Sequence, residues 1–314
     1  MMRCWVMLWI AWGLLVSNAS AQQRQNGFKF YPFQNFQFNF DRDAPFKAND
    51  FGEQFFRRFL GSRQSTKRQL QQITVSVADE RKIGANQFQM FERYLQSQKI
   101  KLSNKGRDAT YIRRLVARLR PLMKNQRRYK SIEVHIADSP HTDARAFPGG
   151  KIVVFRGLLE FVESEAALVG ILGHELSHID RQHQLEQFKN SLLAQKSLQG
   201  GAVNFRQFAN FGQLMMKSFM TPFAADQEQE ADSDGARWSF RLGYDPLEMA
   251  RIFQRLHDRD KNQQMPLPSF LRSHPFHLDR FQAIRDTGNR LIAANPDKQL
   301  AVGRDNLRQR KPIE

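Results

Sequence analysis

The chain has 314 residues, a formal net charge of +17 and a single cysteine. Hydrophobic residues make up 41% and charged residues 25%, a balance that is typical of a soluble globular core and excludes a polytopic membrane protein. The length predicts one sizeable domain with appendages, or two small domains. One cysteine excludes an intramolecular disulfide and any metal site built from cysteines, so a metal would have to be bound by histidines and carboxylates.

Residues 1–21 have the pattern of a secretory signal peptide. Arg3 supplies a positive charge, residues 5–16 form an apolar run, and residues 19–21 are a small-residue cleavage site. The run of about 12 residues is shorter than the roughly 20 that a helix needs to span a bilayer. We therefore predict an exported protein, periplasmic or secreted, with membrane association as an option. An uncleaved anchor is the alternative, because tryptophans favour the membrane interface.

Composition divides the rest of the chain into three parts. Residues 22–73 form an arm rich in Phe, Gln and Asn, for which we expect partial disorder; a partner-binding strand is the second interpretation. Residues 74–290 have the apolar periodicities of a folded domain. Residues 291–314 form a polar, basic tail that we expect to be frayed.

Apolar spacing predicts the elements of the domain in order. A helix over 111–123 should bend or end at Pro121, and strands follow over 131–137 and 151–155. A long helix begins after Ser164, a good N-cap residue, and is expected to run to residue 187 with His183 near its end. Two further helices are predicted, over 226–242 and from residue 246 onward.

The long helix carries an H-E-x-x-H motif at residues 174–178. His174 and His178 are four residues apart, so they lie on one helix face and can bind one zinc ion. Glu175 points to one side of them and can reach a metal-bound water without binding the metal. The alternative is a helix with two solvated histidines. No metal role is expected for His183.

A catalytic zinc site needs a third protein ligand, and Glu228 is the candidate. It shares a helix face with Asp232, which could orient a ligand histidine through the second ring nitrogen. Glu230 is the competing ligand. The alternative is an acidic first turn that favours the helix dipole and binds no metal.

Together with two further segments, these motifs resemble a known family. The matching residues are His174 to His178, the E-x-x-A-D residues 228–232, residues 143–150 running into 151–159, and Ser273-His274-Pro275 with Arg280 after it. The combination is similar to the gluzincin metallopeptidase family forty-eight, which includes CAAX prenyl protease, HtpX, Oma and BepA-like zinc peptidases. The resemblance covers residues 75–285 and, among its members, favours a soluble periplasmic type without helical repeats.

The resemblance implies an α+β, zincin-like fold, mainly helical, with a small sheet whose edge strand lies above the motif helix. We expect residues 151–155 to form that edge, where an extended peptide could add as a further strand. The implied substrate-strand residues are Ala146, Phe147, Pro148, Gly149 and Gly150. Asp143 and Arg145 depart from the family's usual Asn and Phe, which puts the substrate surface, but not the metal site, in question.

The activity implied is zinc-dependent hydrolysis of peptide bonds in flexible or misfolded proteins, with one Zn²⁺ per chain and a role in envelope quality control. Glu175 would be the general base. His274 and Arg280 would support the oxyanion; alternatively, His274 is a gate that fills the open zinc position, or an ordinary loop histidine. The second functional hypothesis is a latent zinc-site chaperone or assembly factor with little proteolysis.

A basic stretch, residues 113–130, contains eight cations and no acid. In an exported protein it indicates an anionic membrane surface or an acidic partner, and the alternative is a solvated helix face. No nucleic acid is expected, because no nucleic-acid-binding motif is present. The oligomeric state is left open.

Overall fold

The computed structural model describes residue 70 and residues 73–199, 221–261, 274 and 278–313. The predicted signal peptide and almost all of the predicted aromatic arm lie outside the described residues. So do Ser273 and Pro275 of the family-like segment. None of the described helices is long and apolar enough to cross a membrane.

A small mixed sheet lies at the centre of an otherwise helical domain, which makes the fold α+β, as expected. Its strands are β1 (Leu102–Ser103), β2 (Glu133–Ala137), β3 (Ala144–Phe147) and β4 (Lys151–Phe155), in the order β1-β2-β4-β3. The β2–β4 pair is parallel, and the other two pairs are antiparallel.

The prediction that residues 151–155 form the sheet edge is wrong, because β4 pairs on both sides and the edge strands are β1 and β3. The sequence gives the physical reason. Ile152, Val153 and Val154 form a continuous apolar run that is buried on both faces, as in a central strand. β3, in contrast, carries the partly exposed Arg145, which an edge strand can accommodate.

Each face of the sheet is covered by helices. Helix α1 (Val77–Ser97) places Phe91 and Leu95 against Phe147 of β3 and against β4. Helix α2 (Arg107–Leu119) covers the other face and passes into a 3₁₀ turn at Arg120–Leu122, as Pro121 predicted. A short helix, α3 (Arg156–Phe161), then follows β4.

The motif helix α4 (Glu165–Asp180) begins at its predicted cap, where Ser164 Oγ accepts a hydrogen bond from the Ala167 N–H. The predicted continuation to residue 187 is wrong. Gln182 has a φ of 61°, a left-handed conformation that ends the helical path and turns the chain into a new helix, α5 (His183–Gln199).

The remaining helices of the described residues are α6 (Ala225–Arg241), α7 (Leu247–Lys261), α8 (Leu278–Ala293) and α9 (Arg304–Gln309). Gly243 follows α6 with a φ of 87°, a left-handed conformation that commonly closes a helix. Helices α4 and α6 cross so closely that a Cβ added at Gly173 would lie 3.0 Å from Gly235 Cα. Gly173 and Gly235 therefore lie at the crossing.

The C-terminal segment is not frayed, contrary to expectation. The Ala166 N–H donates to Val302 C=O, and the Ile313 N–H donates to the Glu165 carboxylate at 2.8 Å. The same buried carboxylate accepts the hydroxyls of Tyr111 and Tyr244, each at 2.7 Å. Polar composition concealed the contacts of the C-terminal segment, because Glu165 and Ala166 lie more than 100 residues earlier in the chain.

Candidate metal centre

Four buried side chains from three parts of the chain converge beside α4. His174 and His178 turn their imidazoles to one side of the helix, with Nε2 atoms 3.0 Å apart. Glu228 reaches the same point from α6, and His274 reaches it from a position 100 residues after His174. One nitrogen or oxygen from each of the four lies within 4.8 Å of the other three.

The spacing of these atoms fits a four-coordinate ion. His274 Nδ1 lies 3.0 Å from His174 Nε2 and 2.9 Å from Glu228 Oε1, and His178 Nε2 lies 3.7 Å from that oxygen. A tetrahedral ion with ligand bonds of about 2.0–2.1 Å separates its ligand atoms by about 3.3 Å. Imidazole nitrogens with one carboxylate are a donor set that suits zinc.

The histidines have the protonation state that metal binding requires. Burial lowers the pKa of His174, an effect that Asp232 opposes, and burial with neighbouring His174 lowers that of His178 far below its usual value. Burial and the Arg280 guanidinium lower the pKa of His274 to about 3. Neutral imidazoles present lone pairs to a cation, so no proton has to be removed before binding.

Asp232 lies in the position predicted for it, with Oδ1 3.0 Å from His174 Nδ1. Arg280 donates to both oxygens of Asp232, from Nε at 2.7 Å and from Nη2 at 2.8 Å. Although burial alone would raise the pKa of Asp232, the Arg280 guanidinium lowers it to about 2. The carboxylate therefore stays charged and orients the imidazole so that Nε2 faces the centre.

Arg280 contacts carboxylates on two sides. Besides Asp232, its Nη1 lies 2.7 Å from Glu228 Oε2. The side chain is 6% exposed, and its guanidinium lies over the Phe253 ring, 5.0 Å from the centroid. This geometry differs from the oxyanion-donor role suggested by the sequence, because the guanidinium faces the protein's own carboxylates.

Sequence reasoning missed the contact between His183 and His178. His183 begins α5 and does not lie within the motif helix, and the turn at Gln182 brings its Nδ1 to 2.8 Å from His178 Nδ1. Its Nε2 lies 3.3 Å from Oε2 of Glu230, the competing ligand candidate. The sequence contains a third histidine five residues after His178, but its contact with His178 forms only because the helix ends before Gln182.

Glu175 lies between the four-residue cluster and the edge strand. Its Oε1 is 3.2 Å from His274 Nε2, and its carboxyl group accepts a hydrogen bond from the Ala146 backbone. Burial, followed by the charges of Asp143 and Glu228, raises the pKa of Glu175 well above its usual value. A raised pKa makes a carboxylate a stronger proton acceptor than an ordinary glutamate.

The predicted substrate-strand residues lie in β3 and in the turn after it. Ala146 and Phe147 end β3, and the turn at residues 148–150 leads into β4 with positive φ at both glycines. The two residues that depart from the family pattern pair with each other, since Arg145 Nε lies 3.0 Å from the Asp143 carboxylate. Beside Ala146 a cleft of about 20 Å³ reaches Glu175, a volume that suits about one water molecule.

Comparison with known proteins agrees with the resemblance. The sequence profile of peptidase family M48 matches residues 107–288. The beta-barrel assembly-enhancing protease of Escherichia coli O157:H7 is 28% identical over 189 residues, which cover 54% of this chain and 38% of that protein. The mitochondrial metalloendopeptidase OMA1 of Schizosaccharomyces pombe is 28% identical over 161 residues, which cover 49% of this chain and 46% of that protein.

A third relative, the mitochondrial metalloendopeptidase OMA1 of Bos taurus, is 30% identical over 191 residues, which cover 53% of this chain and 36% of that protein. The matched region thus spans less than half the length of each of these curated relatives. The family profile, however, covers more than half of this chain and includes the four clustered residues. The chain therefore belongs to peptidase family M48.

Proposed function

We propose that this protein is a zinc-dependent metalloendopeptidase that cleaves flexible or misfolded proteins. The observation that carries the proposal is the convergence of His174, His178 and Glu228 beside the buried Glu175, next to the edge strand β3. The names of the relatives, a beta-barrel assembly-enhancing protease and a metalloendopeptidase, support it.

His174, His178 and Glu228 would hold one zinc ion per chain. The ion would supply Lewis acidity and lower the pKa of a water molecule to about 7. Asp232 and Arg280 position this set: Asp232 fixes the ring of His174, and Arg280 fixes Asp232 and the Glu228 carboxylate. We therefore assign Arg280 to positioning in place of oxyanion support. His183 acts in the same way on His178.

Glu175 would move the proton. Its carboxylate takes a proton from the attacking water as the C–O bond forms at the scissile carbonyl. The same carboxyl group then gives that proton to the leaving amine as the C–N bond breaks. Its raised pKa makes the carboxylate a stronger proton acceptor than an ordinary glutamate.

His274 would act as a gate at this centre. Its Nδ1 lies among the other three donor atoms, where an imidazole competes with water for the fourth position of a tetrahedral ion. The adjoining cleft is also too small for a peptide. These two features favour a resting state of low activity, which a protein substrate would relieve by displacing His274.

The same features support the alternative function, a latent zinc-site chaperone or assembly factor. A permanently bound His274 would leave no position for water and would make the centre structural. Glu175 distinguishes the two functions, because a purely structural ion does not need a buried carboxyl group with a raised pKa beside it.

The setting we propose is protein quality control in a cell envelope, reached through the predicted signal peptide at residues 1–21. The basic stretch supports contact with an anionic membrane surface, although three of its arginines turn inward: Arg118, Arg120 and Arg128. Five exposed cations remain for such a contact: Arg113, Arg114, Lys124, Arg127 and Lys130.

Removal and return of the metal tests the proposed activity. Purified protein is stripped with 1,10-phenanthroline, dialysed and supplied with zinc or magnesium, and digestion of reduced, carboxymethylated lactalbumin is followed by mass spectrometry. We expect cleavage to stop on chelation and to return with zinc but not with magnesium. Cleavage that persists in fully stripped protein would contradict a zinc peptidase.

A further inference from the structure

The outer edge of β3 carries backbone groups that β4 does not use. In an antiparallel pair, alternate residues bond to the partner strand and the others turn their N–H and C=O away from it. The Phe155 N–H donates to Asp143 C=O across this pair, so the alternation turns the groups of Ala144 and Ala146 outward. An extended chain added beside β3 would pair with these outward groups.

Both backbone groups of Ala146 already have partners within the protein. The Glu175 carboxyl group accepts from its backbone, and Gln184 Nε2 donates to its C=O at 3.3 Å. A carbonyl only accepts, so the Gln184 amide has to present its NH₂ end at this contact. The Gln184 side chain thus makes the hydrogen bond that a backbone N–H of an added strand would make.

Gln184 is also close to where the chemistry is proposed. It is buried, lies in the first turn of α5 and lines the same small cleft as Glu175 and His274. The cleft holds about 20 Å³, so a peptide backbone can enter only if side chains move. Rotation of the Gln184 amide is one such movement. It costs little free energy, because the Ala146 carbonyl exchanges one amide hydrogen bond for another.

We propose that Gln184 determines how tightly the substrate strand binds: its amide occupies the Ala146 carbonyl in the free protein and yields it to a backbone N–H of an extended protein segment. The inference rests on the proposed function, since it takes the β3 edge as the substrate-binding strand. Substrate affinity then depends inversely on how strongly residue 184 donates to that carbonyl.

A series of donor strengths at position 184 tests the inference. Gln184→Met keeps the length of the side chain but removes the donor, whereas Gln184→Lys supplies a charged and stronger donor. Gln126→Met is the matched control, because Gln126 makes the same type of bond, Nε2 to Pro121 C=O at 3.3 Å, outside the cleft. The probe is a fluorescence-quenched peptide of about ten residues around a cleavage site mapped in carboxymethylated lactalbumin.

We expect Gln184→Met to lower KM about 2- to 10-fold, the range that one net hydrogen bond allows, at unchanged kcat. Gln184→Lys should raise KM, and Gln126→Met should change neither constant. A fall in activity with both substitutions at 184, or the same KM change in Gln126→Met, would overturn the inference, since a purely structural role does not follow donor strength.

A second measurement separates this inference from the proposed activity. If the wild-type protein cleaves nothing, the proposed function fails, but binding of fluorescein-labelled carboxymethylated lactalbumin to the zinc-loaded protein still reports on the β3 edge. Fluorescence anisotropy should then give a lower Kd for Gln184→Met and a higher Kd for Gln184→Lys. Equal Kd values in all three proteins would overturn the inference.

Discussion

The two sides of the candidate metal centre are held by interactions of different strength. On the side of α6 and α8, the Arg280 guanidinium donates to both oxygens of Asp232 and lies 2.7 Å from Glu228. On the side of β3 and α5, neutral amides of Gln184 and Gln187 donate to backbone carbonyls at 3.1–3.3 Å. Charge-assisted bonds are about twice as strong as neutral ones.

This difference indicates which parts of the site are fixed and which can exchange partners. The metal-binding atoms are set by buried charges, whose separation would leave an uncompensated charge in the interior. On the substrate side, the neutral amides of Gln184 and Gln187 make hydrogen bonds that a peptide backbone can replace with equivalent ones. We therefore expect substitutions on the first side to affect the metal and substitutions on the second side to affect the substrate.

The largest effect on zinc binding is expected at Glu228. Glu228→Ala removes a candidate ligand and should weaken zinc binding by more than about 100-fold, beyond the usual cost of losing a partner that only orients a ligand. Glu230→Ala should change zinc binding little, because Glu230 contacts Arg181 and His183 at the margin of the centre. Titration with a chromophoric chelator measures both, and the reverse order would transfer the ligand role to Glu230.

A smaller effect on the same side is expected at Asp232. Asp232→Asn keeps the shape of the side chain but removes the charge that orients His174, and it should weaken zinc binding about 10- to 100-fold. Asp226→Asn, in the exposed first turn of α6, is the control. Equal zinc affinity in Asp232→Asn and wild type would show that the contact of Asp232 with His174 has no positioning role.

His274 links the two sides, since its Nδ1 faces the metal-binding atoms and its Nε2 faces Glu175. As a gate, it should slow the resting enzyme, so His274→Ala should raise basal cleavage several-fold. Support of the oxyanion would instead give a fall of about 10²–10³-fold. Initial rates on a quenched peptide distinguish these roles, and an unchanged rate with unchanged zinc affinity would exclude both.

An effect on stability alone tests the helix crossing beneath the centre. A Cβ at Gly235 would lie 2.7 Å from Gly170 C=O and 3.2 Å from the His174 N–H, so Gly235→Ala forces α4 and α6 apart. Overpacking of this kind costs about 1–3 kcal/mol of unfolding free energy. Thermal melting should detect the loss, whereas Arg237→Ala, on the exposed face of α6, should melt close to wild type.

Local pattern was sufficient for much of the helical framework. The H-E-x-x-H spacing, the cap at Ser164 and the end of α2 before Pro121 each depend on residues within a few positions of one another. The shared helix face of Glu228 and Asp232 also made Glu228 the ligand candidate, and the structure places its carboxylate beside both motif histidines. These features could be predicted because helix geometry converts sequence spacing directly into a common face.

Features set by distant partners could not be predicted in this way. β3 is the edge strand because β4 finds a second partner in β2, and the C-terminal segment is ordered because Glu165 accepts its Ile313 N–H. The position of His183 depends on one left-handed residue, Gln182, which no periodicity reveals. The contact of Gln184 with Ala146 joins residues 38 positions apart and has no local signal.

The proposal that Glu175 moves the proton without binding the metal is tested most directly by Glu175→Gln. Zinc content by mass spectrometry and cleavage of carboxymethylated lactalbumin are measured on one preparation of this variant and of wild type. We predict one zinc per chain in both proteins and a fall in cleavage of about 10²–10⁴-fold in the variant, the range for loss of a general base. Stoichiometric zinc with undiminished cleavage would contradict the proposed role of Glu175.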